Sequence, residues 1–176
     1  MLPAIPVTAL VLVAVALFML VELQLSVVNE RRLRARGAIE PRDDPYRLMR
    51  VAYPALFLLM GAEALADDAL SRTGVTIGLV LLGAAKALKF WAIAALGERW
   101  SFRVLVLPEA PLVTGGPYRW LRHPNYLAVI GELLAVAVTL GAPIGAAAAL
   151  LGFGWVLRQR IRVEERALGM GPTTRP

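Results

Sequence analysis

The stretch LPAIPVTALVLVAVALFMLVELQLSVV, residues 2–28, decides how the rest of the chain is read. Only Glu22 and Gln24 interrupt its apolar and small residues. A bilayer crossing needs roughly 20 such residues at ~1.5 Å of helical rise each, so the run is long enough to span. A secretory signal would place basic residues ahead of its apolar core. Here the first basic residue is Arg31, behind the core, and an uncleaved first span is expected.

Working outward, further apolar segments occupy residues 48–66, 75–96, 126–140 and 144–157, which with 5–28 makes five. The last two are short and meet at Gly141-Ala142-Pro143, where Gly and Pro break a helix and turn the chain back. The expected fold class is therefore all-α: a polytopic membrane protein of about five transmembrane helices, forming one domain over residues 1–176. The hydrophobic share of 58% and mean hydropathy of +0.63 fit that class and not an ordinary soluble domain.

Charge sets the expected orientation. Arginines crowd the segments 29–50, 97–125 and 158–176, sixteen in all, whereas the 67–74 loop has Arg72 alone against Asp67 and Asp68. The positive-inside rule then puts the N-terminus outside and the C-terminus in the cytoplasm. The net charge of +6 is read as topological signalling and attraction to anionic lipid, with no nucleic-acid partner. There is no cysteine and a single histidine, His123, which excludes disulfides, thiolate metal sites and histidine-cluster metal sites.

Ionisable residues inside the apolar segments each need a reason, because a charge near mid-bilayer costs about 2.5–3.5 kcal/mol on insertion scales. Glu22 and Glu63 lie near span ends and are expected to reach the interface. Lys89 is expected to snorkel to the cytoplasmic surface. Glu132, roughly two turns into the fourth segment, reads either as an ion-pair partner of Lys86 or Lys89 or as part of a substrate cavity. Gly141, Gly145 and the alanines 146–149 read as a face for close helix packing.

Between the third and fourth segments the chain reads LPEAPLVTGGPYRWLRHPNY, residues 107–126. Its prolines fix φ, and Gly115-Gly116 permit turns that other residues resist. Ordered non-helical backbone of this kind has N–H and C=O groups that need partners. A bound cofactor supplies them on one reading; a membrane-surface loop with interfacial aromatics is the other. After the last apolar segment, Arg160 and Glu164 stand at i,i+4 on one helix face. Taken alone they are a surface pair. Beside an ordered aromatic loop they could grip a zwitterion, the guanidinium taking a carboxylate and the Glu a cationic group.

GPYRWLRHPNY at 116–126, followed by a helical hairpin and RIRVEE at 160–165, resembles the isoprenylcysteine carboxyl methyltransferase family. The likeness covers residues 96–168. It implies an S-adenosylmethionine-dependent methyltransferase whose cofactor lies in a cytoplasmic pocket capped by the motif. By position it implies cofactor contacts from Ala110, Pro111, Leu112, Val113, Tyr118, His123, Pro124, Asn125, Tyr126 and Glu164, with Arg160 between cofactor and acceptor. Eukaryotic members have a histidine where this chain has Ala110, so that contact is missing here. LGERWSFRVLVLPEAPLV at 96–113 is similar to compact prokaryotic enzymes that O-methylate alkylresorcinols or alkylpyrones. A lipid phenol or enol therefore stands beside a prenylcysteine-type carboxylate as the expected amphiphilic acceptor. Catalytic candidates are Arg160, with His123 or Glu132 as a base for a hydroxyl acceptor. The rival readings are an NADPH-dependent membrane reductase of sterol-reductase-like architecture and a non-enzymatic small transporter or assembly protein.

Overall fold

A computed structural model describes residues 1–66 and 69–170. Asp67, Asp68 and Arg175, used above for orientation, lie outside the described residues. Among the described residues the architecture is all-α but for one two-residue strand pair, β1 (Leu2–Pro3) with β2 (Ala69–Leu70), antiparallel, and an isolated bridge between Ile39 and Val106. The helices are α1 (Ala4–Ala35), α2 (Tyr46–Ala64), α3 (Arg72–Leu96), α4 (Pro124–Leu140), α5 (Pro143–Ala147) and α6 (Gly154–Ala167). Two of them, α1 and α3, are long and apolar enough to cross a membrane by length and composition.

Local chemistry explains the boundaries. Ser71 caps α3 by accepting the Gly74 amide at 3.3 Å. Pro124 and Pro143 stand at the first turns of α4 and α5, where a missing N–H costs nothing. Gly141 ends α4 in the left-handed region, φ 64°, which gives the tight turn into α5. The second arm is longer than the apolar segment 144–157. From α5 the chain passes through a π-helical stretch, Ala148–Phe153, straight into α6, so apolar and arginine-rich halves form one rod.

The core joins α1, α2, α4 and the last rod around Met60, Leu133, Val136 and Leu140. Against α4, α3 packs most extensively. Gly78 lets the backbone of Thr139 approach, and Gly145 makes room for the Met60 side chain.

The intramembrane charges are arranged differently from expectation. Glu22 is 2% exposed and does not reach the interface; Lys89 is equally buried and does not snorkel. Lys86 lies 2.9 Å from Glu22 Oε1, Lys89 2.6 Å from Glu22 Oε2, and Lys89 3.2 Å from Glu132 Oε2. Lys86 also stands 3.1 Å from Glu132 Oε1, close enough for attraction but without hydrogen-bond geometry. Tyr53 on α2 donates to Glu132. Two carboxylates and two ammoniums thus neutralise one another, which is how buried charge is tolerated. Glu63 has a structural task too: its carboxylate accepts the Ile144 and Gly145 amides, both at 2.9 Å, and caps α5 from α2.

Candidate active site

The segments 36–45 and 97–123 and helix α6 meet at one end of the helices. Ile39 and Val106 exchange backbone hydrogen bonds at 2.8 and 3.0 Å. The end of α1 holds the Trp100–Phe102 turn: Asn29 Nδ2 donates to the Trp100 carbonyl at 2.9 Å, and Ser26 Oγ accepts the Phe102 amide at 2.8 Å. Arg99 reaches the Pro111 carbonyl at 2.5 Å and anchors the proline-rich segment. Gly116, φ 58°, lies where a Cβ would be 2.9 Å from Ala95, so the turn that opens the motif needs glycine on both counts.

These segments enclose a basin of about 160 Å³. Its walls include Ala110, Pro111, Leu112, Val113, Tyr118, His123, Asn125, Tyr126, Arg160 and Glu164. The structure therefore brings together every sequence-predicted cofactor residue except Pro124, which is buried at the start of α4 and does not line the basin. Glu132 is not part of this site either: it lines neither the basin nor the chamber described next, and sits in the ion cluster. His123 does line the basin, with Nε2 3.1 Å from Glu165 and its ring stacked on Tyr126.

Arg160 and Glu164 are more than a surface pair. Tyr126 links them: Arg160 Nε donates to its hydroxyl at 3.0 Å, and the hydroxyl donates to Glu164. Arg160 also donates to the Phe102 carbonyl and lies 3.2 Å from Asp44 Oδ1. Burial disfavours the guanidinium charge, but Tyr126 and Asp44 outweigh it and hold the pKa above its ordinary value. Burial, and then the charge of Glu164, push the Tyr118 phenol up, so it stays neutral.

Asp44 was not singled out from sequence, yet it fixes this corner. Oδ1 accepts the Tyr46 amide at 3.1 Å and Oδ2 the Val104 amide at 3.0 Å, while the Arg160 ion pair completes the set. The signal available was Asp44-Pro45 at the start of a helix, the usual place for an amide-accepting side chain.

Beside the basin lies a larger apolar chamber of about 460 Å³, lined from α1 and α2 by Met19, Leu20, Met49 and Tyr53. Trp100, Ser101, Asn125, Tyr126 and Arg160 line both spaces. A basin at the helix ends and a more strongly apolar chamber between helices thus share one wall.

Residues 76–170 match the isoprenylcysteine carboxyl methyltransferase (ICMT) family. This chain belongs to that family. It is 32% identical to the uncharacterized protein YpbQ of Bacillus subtilis, over 84% of this chain and 88% of that protein. An uncharacterized protein of Haemophilus influenzae is 31% identical, over 83% of this chain and 86% of the relative. No solved structure matches. Family membership and the two long apolar helices point to a membrane protein and to a methyltransferase.

Proposed function

We propose that the chain is an S-adenosylmethionine-dependent O-methyltransferase acting on an amphiphilic, lipid-like acceptor. The observation that carries this reading is the wall shared by the basin and the apolar chamber, with Arg160 in it. A charged cofactor and a membrane-borne acceptor need separate approaches to one point, and this pair of spaces has that form.

The residues present fit the cofactor. Glu164 offers a carboxylate for its ammonium or sulfonium, and Arg160 offers a guanidinium for its carboxylate. Among the described residues, the Leu112 and Val113 amides make no hydrogen bond within the chain, so they are open to a ligand in the basin. Ala110, Pro111 and Tyr118 supply apolar and aromatic wall for a nucleoside. When bound, S-adenosylmethionine supplies a methyl group on a sulfonium that already activates it for displacement. The chain's own task is alignment and exclusion of water. Arg160, buried and held from three sides, fixes the boundary between the two spaces.

The chamber's apolar lining supports an acceptor with a long hydrocarbon tail, such as an alkylresorcinol, an alkylpyrone or a prenylcysteine-type carboxylate. Each methylene buried from water contributes about 0.8 kcal/mol, so affinity rises with chain length until the chamber is full. The arginine-rich end that forms the basin faces the cytoplasm, with the N-terminus outside.

Calorimetric titration in detergent with S-adenosylhomocysteine and, separately, NADPH tests the reading. S-adenosylhomocysteine should bind, and Glu164→Ala should weaken it roughly tenfold or more, the usual cost of a lost charged hydrogen-bond partner. Binding of NADPH alone would make the chain a reductase.

A further inference from the structure

The apolar chamber has a side that methyl transfer does not use. Ala16, Leu20 and Leu23 line it from α1, and Tyr46, Arg50 and Tyr53 from α2. Each trio has the i, i+4, i+7 spacing of one helix face. Ala16, Leu20, Leu23 and Arg50 are exposed as well as lining. The chamber is therefore open along the seam between α1 and α2, and α1 is apolar enough to lie in a bilayer there.

Arg50 is the cation of this seam, and nothing in the chain engages it. It has no hydrogen-bond, ion-pair or ring partner among the described residues, and neither has Arg47, its exposed neighbour one turn earlier. The Tyr46 hydroxyl makes no hydrogen bond among the described residues either; its ring stacks under the Arg103 guanidinium, 4.5 Å away. The acidic side chains of that end are already taken. Asp43 pairs with Arg166, Asp44 with Arg160, and Glu40 with Arg34 and Arg103. Two uncompensated guanidiniums and an unused hydroxyl thus stand at the arginine-rich end of an apolar opening.

We propose that this seam binds an anionic phospholipid, its phosphate on Arg50 and the Tyr46 hydroxyl with Arg47 beside them, and one acyl chain in the chamber. A guanidinium meets a phosphate with paired N–H donors, and the apolar lining takes the chain. A net negative head group is preferred over a zwitterionic one, because the seam has no spare carboxylate for the cationic half. The lipid is a ligand here and not a methyl acceptor: Tyr46 and Arg50 line the chamber and not the basin. Its chain fills space that an acceptor tail needs, so the two exclude each other. The binding itself does not depend on methyl transfer.

Trp100 supplies the test. It lines the chamber and is 2% exposed, whereas Trp91, Trp120 and Trp155 are exposed. Replacing those three with Phe leaves Trp100 as the single tryptophan, a reporter of what enters the chamber. The full chain carrying these replacements is held in neutral-detergent micelles. Trp100 emission is followed as phosphatidylglycerol or phosphatidylcholine with the same brominated acyl chains is added. Phosphatidylglycerol should reach half-maximal quenching at about tenfold lower mole fraction, the weight of a charged hydrogen-bond partner. Arg50→Gln should remove most of that preference, and Arg50→Gln with Tyr46→Phe all of it. Arg119→Gln, which removes another exposed arginine away from the chamber, should leave it unchanged. Equal quenching by the two lipids before Arg50 is altered would overturn the site. So would a preference that survives Arg50→Gln, or one that Arg119→Gln lowers as much, since only diffuse attraction to the surface would then remain. No cofactor is present in these titrations, so their failure leaves the methyl-transfer reading to its own test.

Discussion

Asp43 and Asp44 are neighbours in sequence that should respond oppositely to the same substitution. The Asp44 side chain is 3% exposed and faces Arg160, 5% exposed, across 3.2 Å. Asp44→Ala removes the anion while the guanidinium stays buried, and strips the Val104 and Tyr46 amides of their acceptor. Taking one member from a buried ion pair costs about 3–5 kcal/mol, because the remaining charge is uncompensated. Tyr126 and the Phe102 carbonyl still hold Arg160, which places the expected loss at the lower end, about 3 kcal/mol. For a chain of this length each kcal/mol moves the unfolding midpoint by roughly 2–4 °C, so the midpoint should fall on the order of 10 °C. Asp43 also meets an arginine, Arg166, but that pair is 55% and 69% exposed, and Asp43→Ala should leave the midpoint unchanged. Asp44→Asn, which keeps the shape and one acceptor oxygen, should fall between the two. Thermal unfolding in detergent, followed by tryptophan fluorescence, measures all three. If Asp44→Ala is no worse than Asp43→Ala, the claim that Asp44 organises the site is wrong.

Gly78→Ala should destabilise by about 1–3 kcal/mol, an overpacking cost, because the new Cβ would stand 2.5 Å from the Thr139 amide nitrogen and 2.7 Å from its Cα. Gly83→Ala on the same helix meets open space and should be neutral or slightly stabilising in the same unfolding assay. Burial alone would raise the Glu40 pKa, but hydrogen bonds from Arg34 and Arg103 outweigh it and hold the carboxyl below its ordinary value. A depressed acid contributes stability above its unfolded pKa and loses it as pH falls through the folded value. The advantage of wild type over Glu40→Gln should therefore be present at neutral pH and close under acid conditions, measured as midpoints across pH. A phosphatase fused to the C-terminus, active only outside the membrane, should be silent; strong activity would reverse the orientation and remove cytosolic access to the basin.

The helical reading was legible because hydropathy and breaker residues act locally. The apolar runs and Gly141-Ala142-Pro143 mark the helices with errors only at the ends. The basin was legible for another reason, since its residues come from two short stretches whose motif is contiguous. Partner choice was not legible. Whether Glu22 meets the interface or Lys86 depends on the rotation of α1 against α3, which no apolar periodicity in α1 specifies, because apolar residues cover nearly all of its surface; the signal that was there is the polar stripe Glu22, Ser26 and Asn29, buried together on one face. Asp44 was hidden in a segment crowded with arginines, where any of several could have been its partner. The Trp100–Phe102 turn contributes a backbone carbonyl and an amide, groups that every residue carries and no sequence distinguishes.

The ion cluster bears on the site although it does not line the basin. A buried charge set contributes little net stability, since desolvation offsets attraction, but breaking it is costly. Such a set therefore fixes the register of the helices that bear it. Glu22 on α1, Lys86 and Lys89 on α3, and Glu132 on α4 lock three helices, and Tyr53 adds α2. Glu132 lies about two turns beyond Asn125 and Tyr126 on the same helix. A rotation or slip of α4 would move Glu132 away from both lysines and carry Asn125 and Tyr126 off the shared wall. Glu132, weighed from sequence as a base or an ion-pair partner, thus holds α4 in register, and on the methyl-transfer proposal Asn125 and Tyr126 are what that register delivers to the boundary between basin and chamber.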